Sequence, residues 1–155
     1  MRGTLLVPVA TVGLLFVAAC GSTSTPSQAA SSPTPAASPS VGEASVTVAG
    51  TQEMALTTPA GLTLYYLTSD VATAPKCTAA CLGFWPPLLS TGTPVGMVGM
   101  SGTLTVVQNA NGSQVAYNGH LLYAFAKDKA MGDVNGEGVK AFGGTWHVVT
   151  PGLAA

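Results

Sequence analysis

Hydrophobic and polar residues alternate in short segments between residues 44 and 150, a pattern typical of β-strands. The segments are rich in Val, Thr, Leu and aromatic residues, and they end at turn formers such as Ala49-Gly50, Asn111-Gly112 and Asn118-Gly119. Asn-Gly pairs favour tight hairpins because both central positions of a type I′ turn need positive φ. The predicted strands are 44–49, 53–57, 62–68, 104–108, 114–117, 121–125 and 146–150. We therefore predict an all-β fold, a small antiparallel sandwich or barrel.

The beginning of the chain has a different pattern. After Met1-Arg2, residues 5–19 form an apolar stretch of the length of a signal-peptide core. This stretch ends in Val17-Ala18-Ala19-Cys20, which resembles the bacterial lipobox, where the Cys receives diacylglycerol before cleavage. We expect a lipoprotein signal peptide at 1–19 and a lipid on Cys20 that anchors the protein at the extracytoplasmic face of the cell membrane.

The residues that follow Cys20 are mainly Ser, Thr, Pro and Ala. Such a segment buries too little apolar surface to offset the entropy of ordering it. We interpret residues 20–43 as a lipid-anchored, disordered tether and residues 44–155 as one β-rich domain.

An internal repeat divides the predicted domain. Residues 61–70, GLTLYYLTSD, align with residues 119–128, GHLLYAFAKD, at a constant offset of 58. Trp85 follows the first copy and Trp146 the second, so the two Trp residues are expected to anchor equivalent corners of two pseudo-repeats. Because side chains alternate along a strand, Tyr65 and Leu67 should share one face, while Leu64 and Tyr66 face the other way.

The second copy resembles a known family. Tyr123, Phe125 and Asp128 fit the Tyr-x-(Phe/Trp/Tyr)-x-x-Asp motif of predicted bacterial lipoproteins, which are described as secreted repeats of unknown function. In the first copy, Tyr65 and Asp70 fit this motif, but Leu67 replaces its aromatic residue. The resemblance implies the location and architecture of the protein, and it carries no established activity.

Cys77 and Cys81 are the two thiols left once Cys20 is lipidated. In an oxidising compartment, two cysteines four positions apart are expected to form a disulfide, which stabilises a small domain by about 2 kcal/mol. A redox dithiol is the alternative, although Cys-x-x-Cys is the better-known redox spacing.

Metal binding is a weaker hypothesis. Met97 and Met100, together with His120 and His147, are soft ligands that suit copper in an exported protein. Acidic residues in a Gly-rich loop, Asp133 and Glu137 among them, are candidates for calcium, but they lack the spacing of the helical calcium loop. Core methionines, strand-surface histidines and an ordinary turn are the simpler interpretations, and we expect no cofactor.

Charge and motifs narrow the function further. Lys and Arg number only five, so no basic stripe is available to neutralise phosphates, and we expect no nucleic-acid partner. The chain contains none of the common nucleophile, phosphate-loop or metalloprotease motifs, so we predict that it is not an enzyme. We expect a non-catalytic binding or structural domain of the cell envelope, attached to the membrane and contacting an extracytoplasmic protein or small ligand. The alternative is an exported copper- or haem-type electron carrier.

Overall fold

The computed structural model describes residues 40–155. The predicted signal peptide, the lipidation site Cys20 and the predicted tether up to residue 39 lie outside these residues. Short strands and turns dominate the described part, which confirms the all-β prediction. The elements are β1 Ser40–Val48, β2 Thr51–Thr57, β3 Tyr65–Leu67, a 3-10 helix Ala79–Gly83, β4 Val95–Gly96, β5 Leu104–Asn109, β6 Gly112–Tyr117, β7 His120–Leu121, β8 Lys140–Ala141 and β9 Gly144–Val148. No helix in this range is long and apolar enough to cross a bilayer.

The folded part begins earlier than the sequence predicts. Strand β1 starts at Ser40, and Gly42 pairs with Thr57 of β2. Val41 is completely buried, so its apolar side chain contributes to the core instead of a tether. Residues 40–43 therefore belong to the β-domain.

One predicted hairpin turn is shifted by one residue. Asn109 pairs with Gly112, so the two loop residues between β5 and β6 are Ala110 and Asn111. The side-chain oxygen of Asn109 accepts a hydrogen bond from the Asn111 backbone N–H at 2.8 Å, an Asx turn that places the bend here. The other Asn-Gly turn is confirmed, since Asn118 and Gly119 both have positive φ, 48° and 87°.

The strands form three small sheets, with strand orders β2-β1-β4, β3-β9-β8 and β5-β6-β7. All pairings of these strands are antiparallel except that of β1 with β4, which is parallel and departs from the prediction. The described residues form no closed barrel. Isolated bridges link named strands to segments outside them, including Tyr65 of β3 with Tyr123 and Gln114 of β6 with Leu89. The predicted strand 121–125 thus continues β7 as a bridged segment.

Each repeat copy lies in one half of the domain, and each half contributes one backbone segment that hydrogen-bonds to the other half. In the first half, Leu64 N–H donates to the Leu56 carbonyl at 2.8 Å, and both residues bond through their backbones to Val149 of the second half, at 2.9 and 2.7 Å. In the second half, Leu122 N–H donates to the Val115 carbonyl at 3.0 Å, and both bond to Leu88 of the first half, at 2.9 and 2.8 Å. Each half is therefore completed by a segment of the other.

Two hydrophobic clusters form the core. Tyr65 and Leu67 lie in the first cluster, Leu64 lies in the second, and the half-buried Tyr66 packs against the second, which confirms the predicted alternation. The first contains the buried residues Val46, Ala55, Tyr65, Leu67, Cys77, Cys81, Trp85, Ala116, Leu121, Tyr123, Phe125, Trp146 and Val148. The second contains Val41, Leu56, Leu64, Val115, Tyr117, Leu122 and Val149.

Candidate functional site

The two motif tyrosines meet at the centre of the domain. Tyr65 N–H donates to the Tyr123 carbonyl at 2.8 Å, and Tyr123 N–H donates to the Tyr65 carbonyl at 2.9 Å. These two reciprocal bonds join the repeat copies at equivalent residues, since Tyr65 and Tyr123 are 58 positions apart. The internal repeat is thus a structural repeat with an approximate two-fold relation between its copies.

Each motif tyrosine is hydrogen-bonded to the aspartate of the other copy. The Tyr65 hydroxyl donates to Asp128 Oδ2 at 2.7 Å, and the Tyr123 hydroxyl donates to Asp70 Oδ2 at 2.7 Å. Both tyrosines are fully buried, Asp128 is almost fully buried, and Asp70 is half-buried. The Tyr and Asp of one motif therefore do not form a local pair; they hold the two copies together.

Burial and the neighbouring carboxylates both raise the pKa of the two motif phenols. Loss of water around Tyr65, and then its hydrogen bond to Asp128, raises the pKa of Tyr65 far above its usual range. Burial, followed by the bond to Asp70, raises the pKa of Tyr123 in the same way. Both hydroxyls consequently remain hydrogen-bond donors at any physiological pH.

The second oxygen of each aspartate organises the loop that follows it. Asp70 Oδ1 accepts the backbone N–H of Lys76 at 2.6 Å and of Cys77 at 3.4 Å. Asp128 Oδ1 accepts the backbone N–H of Asn135 at 3.1 Å and its side-chain amide at 3.0 Å. Cys77 and Asn135 are again 58 positions apart. Each motif aspartate thus connects its own loop to the tyrosine of the opposite copy.

The two tryptophans stack on each other. The ring centroids of Trp85 and Trp146 are 3.7 Å apart, and the ring planes differ by 2°. Phe125 covers Trp85 at 4.2 Å, while Leu67 pairs across the strands with Trp146. The two tryptophans, expected to anchor equivalent corners of the repeats, therefore meet in a single cluster, because the exchanged segments bring both rings together.

Cys77 and Cys81 form the predicted disulfide, with their Cα atoms 5.3 Å apart. Both residues are buried in the first hydrophobic cluster. The disulfide closes the short loop from Cys77 to Cys81, and the backbone N–H of Trp85 donates to the Cys81 carbonyl at 2.9 Å. The disulfide thus supports the position of Trp85, and its sulfur atoms are shielded from solvent.

The candidate metal ligands do not converge. Glu137 and His147 pair with each other, with Oε1 and Nδ1 2.7 Å apart, and Glu137 Oε2 accepts the Val148 N–H at 2.7 Å. Asp133 Oδ2 instead accepts backbone N–H groups of the turn at 129–130, at 2.8 and 2.9 Å, which lowers the pKa of its carboxyl. His120 lies beside Tyr66, with ring centroids 4.8 Å apart. Residues 40–155 contain no group of three His, Cys, Asp or Glu side chains placed to hold a metal ion.

The two candidate methionine ligands, Met97 and Met100, lie in different environments. Met100 packs against the second core cluster, whereas Met97 is 52% exposed. Met97 lies on an open groove of about 540 Å³, together with Met131, which is 75% exposed. Sequence reasoning missed this groove, because nothing in the local pattern shows that residues 34 positions apart meet. The groove is lined by Val41, Gly42, Thr57, Thr58, Pro59, Ala60, Gly61, Gly96, Met97, Val98 and Met131.

Comparison with known proteins gives one match. Residues 105–150 match the model of a family described as a secreted repeat of unknown function. The matched segment corresponds to the second repeat copy, including Tyr123, Asp128 and Trp146. No curated protein and no solved structure matches the chain.

Proposed function

We propose that this chain, whose residues 105–150 match a secreted repeat family, is a non-catalytic binding domain of the cell envelope, anchored through a lipid on Cys20. The family match is consistent with a location outside the cytoplasm. The observation that carries the proposal is the structural role of the Tyr–Asp motif. The tyrosines and aspartates of the motif, and the tryptophans that follow it, contact each other across the two repeat copies and hold them together.

This use of the motif argues against catalysis. A general acid or base has to reach a substrate proton, and a nucleophile needs an activating base beside it. Tyr65 and Tyr123 are buried and already donate to carboxylates, and the raised pKa of each phenol opposes its ionisation. The motif therefore favours a structural role, with contact to partners left to the surface.

The surface offers a feature suited to binding. The groove beside Met97 and Met131 is lined mainly by apolar or small uncharged residues. Exposed apolar patches of this kind commonly mark sites of contact with proteins, ligands or membranes. We assign the binding role to this groove.

A soft-metal carrier is the second candidate, because two thioether sulfurs, those of Met97 and Met131, lie on one groove. The buried disulfide does not favour a redox dithiol, since attack by an external thiolate requires access to sulfur. The two candidates make different predictions for the purified protein.

The first experiment measures metal content and reactive thiols on the mature protein, with and without a mild reductant. A metal-free protein whose disulfide resists reduction supports the binding domain. Stoichiometric copper or iron, or rapid opening of the Cys77–Cys81 bond, refutes it in favour of the carrier.

The anchor requires its own test. The intact mass of the original protein should include the acyl chains and begin at Cys20, whereas Cys20→Ser should carry no acyl chain and, because lipidation precedes cleavage, should retain residues 1–19. An original protein whose mass lacks acyl chains, or a Cys20→Ser protein that is cut before residue 20 as the original is, contradicts the anchor.

A further inference from the structure

The turn after β4 presents apolar side chains to solvent. Val95 and Met97 are 56% and 52% exposed, and Val98 is fully exposed. Met100 N–H donates to the Met97 carbonyl at 3.1 Å and Gly99 has φ +93°, so residues 97–100 form a tight turn with Val98 near its tip. The backbone thus holds an apolar tip away from the domain instead of folding it into the core.

Met131 extends this apolar surface on the other side of the groove. Its sulfur lies over Gly61, where an added Cβ would come within 2.6 Å of it. Met97 and Val98 line the same groove, and none of the lining residues is charged. We call Val95, Met97, Val98 and Met131 the apolar rim. An uncharged rim suits a hydrocarbon-rich surface better than an anion or a charged peptide.

The path of the chain indicates which surface this is. Ser40 pairs with Val95, and Val41 lines the groove, so the chain enters the domain directly beside the apolar rim. Cys20 precedes Ser40 by 20 residues. Even fully extended, a chain of 20 residues reaches only about 70 Å. A lipid on Cys20 would therefore keep this end of the domain near the bilayer.

We propose that the apolar rim is a membrane-contact surface that inserts into the interfacial region of the bilayer carrying the lipid anchor. The proposal rests on the proposed anchoring at Cys20. A few half-exposed side chains bind a bilayer weakly on their own, but the anchor makes the contact intramolecular and raises its effective concentration. The contact would fix the orientation of the domain on the membrane, and it makes the bilayer surface the binding partner of the groove.

Methionine oxidation tests the contact directly. The full-length lipidated protein is reconstituted into phosphatidylethanolamine–phosphatidylglycerol vesicles and treated with hydrogen peroxide, and sulfoxide at each methionine is followed by mass spectrometry. In solution, exposure predicts that Met131 and Met97 react faster than Met54, which is 44% exposed and lies outside the groove. On vesicles the order should reverse, with Met97 and Met131 several-fold slower than Met54.

Two anchored variants complete the experiment. Val98→Asp places a charge at the tip and should restore the reactivity of Met97 and Met131. Val71→Asp is the matched control, because Val71 is 58% exposed but does not line the groove, and it should leave the protection intact. Met54 reports on folding in every sample, since unfolding would accelerate its oxidation as well.

The remaining outcomes overturn the proposal in distinguishable ways. Anchored protein whose Met97 and Met131 react faster than Met54 has no bilayer contact at the apolar rim, although its anchor stands. Protection in cell envelopes but not in pure lipid vesicles assigns the surface to a protein partner. A protein whose mass shows no lipid on Cys20 fails at the anchor itself.

Discussion

Removing one hydroxyl from the Tyr–Asp exchange should destabilise the whole domain. In Tyr65→Phe, the carboxylate of Asp128 loses its donor at 2.7 Å while remaining almost completely buried. Hydrogen bonds to charged groups contribute about 1.5–3 kcal/mol, and leaving a buried acceptor unpaired costs a similar amount. We expect a loss of about 2 kcal/mol in the free energy of unfolding, or roughly 8 °C in Tm for a domain of this size.

The two exchanged bonds should differ in strength. Asp70, the partner of Tyr123, is half-buried, so water can replace part of the lost bond in Tyr123→Phe. This variant should lose about 1 kcal/mol, less than Tyr65→Phe. Tyr66→Phe is the control, because its hydroxyl makes no hydrogen bond to residues 40–155, and it should lie within about 0.5 kcal/mol of the original protein.

Alkaline pH provides an independent measure of the same bonds. In the unfolded chain each phenol ionises with a pKa of about 10, whereas burial raises the pKa of Tyr65 and Tyr123 in the folded protein. Below pH 10 both states keep these protons, and the contribution to stability is complete. Above about pH 10 the unfolded state binds fewer protons, so the free energy of unfolding falls by up to about 1.4 kcal/mol per pH unit for each tyrosine.

Urea unfolding of the original protein and the three variants, at pH 7 and between pH 9 and 11, measures both effects. Tyr65→Phe and Tyr123→Phe should each make the alkaline decline less steep. The reasoning is refuted if Tyr65→Phe costs less than about 0.5 kcal/mol at pH 7, or if Tyr66→Phe costs as much as Tyr65→Phe.

Three further substitutions test the packing, each by urea or thermal unfolding. Replacing Cys77 and Cys81 together by Ala should cost about 2 kcal/mol and leave a folded domain, because the disulfide closes only a short loop; complete unfolding would contradict this. Leu67→Phe restores the family motif but should cost about 1–3 kcal/mol, since Leu67 is buried against Gly144, and a stabilised variant would show that the site has room. Gly136→Ala should lower the free energy of unfolding by about 1–3 kcal/mol, because its Cβ would lie 2.7 Å from the Trp85 ring. Gly83→Ala is the control and should be nearly neutral, since an added Cβ there meets open space. Equal effects of the two substitutions would refute the close contact at Gly136.

Local pattern in the sequence determined the class of the fold. Period-two alternation and turn residues predicted most strands, because the face on which a side chain lies depends only on its position along the strand. The separation of Tyr65 and Leu67 from Leu64 and Tyr66 into two core clusters follows from this rule. The disulfide was predictable as well, since two cysteines four residues apart need no long-range information to meet.

The repeat was visible in the sequence, but its assembly was not. An offset of 58 shows that Tyr65 corresponds to Tyr123, yet it does not show that each tyrosine bonds to the aspartate of the other copy. That exchange depends on which segments cross between the halves, a choice made by long-range backbone pairing. The stacking of Trp85 on Trp146 has the same origin, since the repeat shows that the two rings are equivalent but not that they are in contact.

Only the tertiary structure determines which apolar side chains lie exposed on the surface. Residues around Met97 and Met131 resemble other apolar positions in the sequence, and a core position was the simplest interpretation for Met97. The fold leaves both exposed on one groove, because β1 pairs in parallel with β4 and the turn after β4 extends away from the core. Short-range alternation determines which residues are able to be buried, and the long-range pairing of strands determines which of them are left outside.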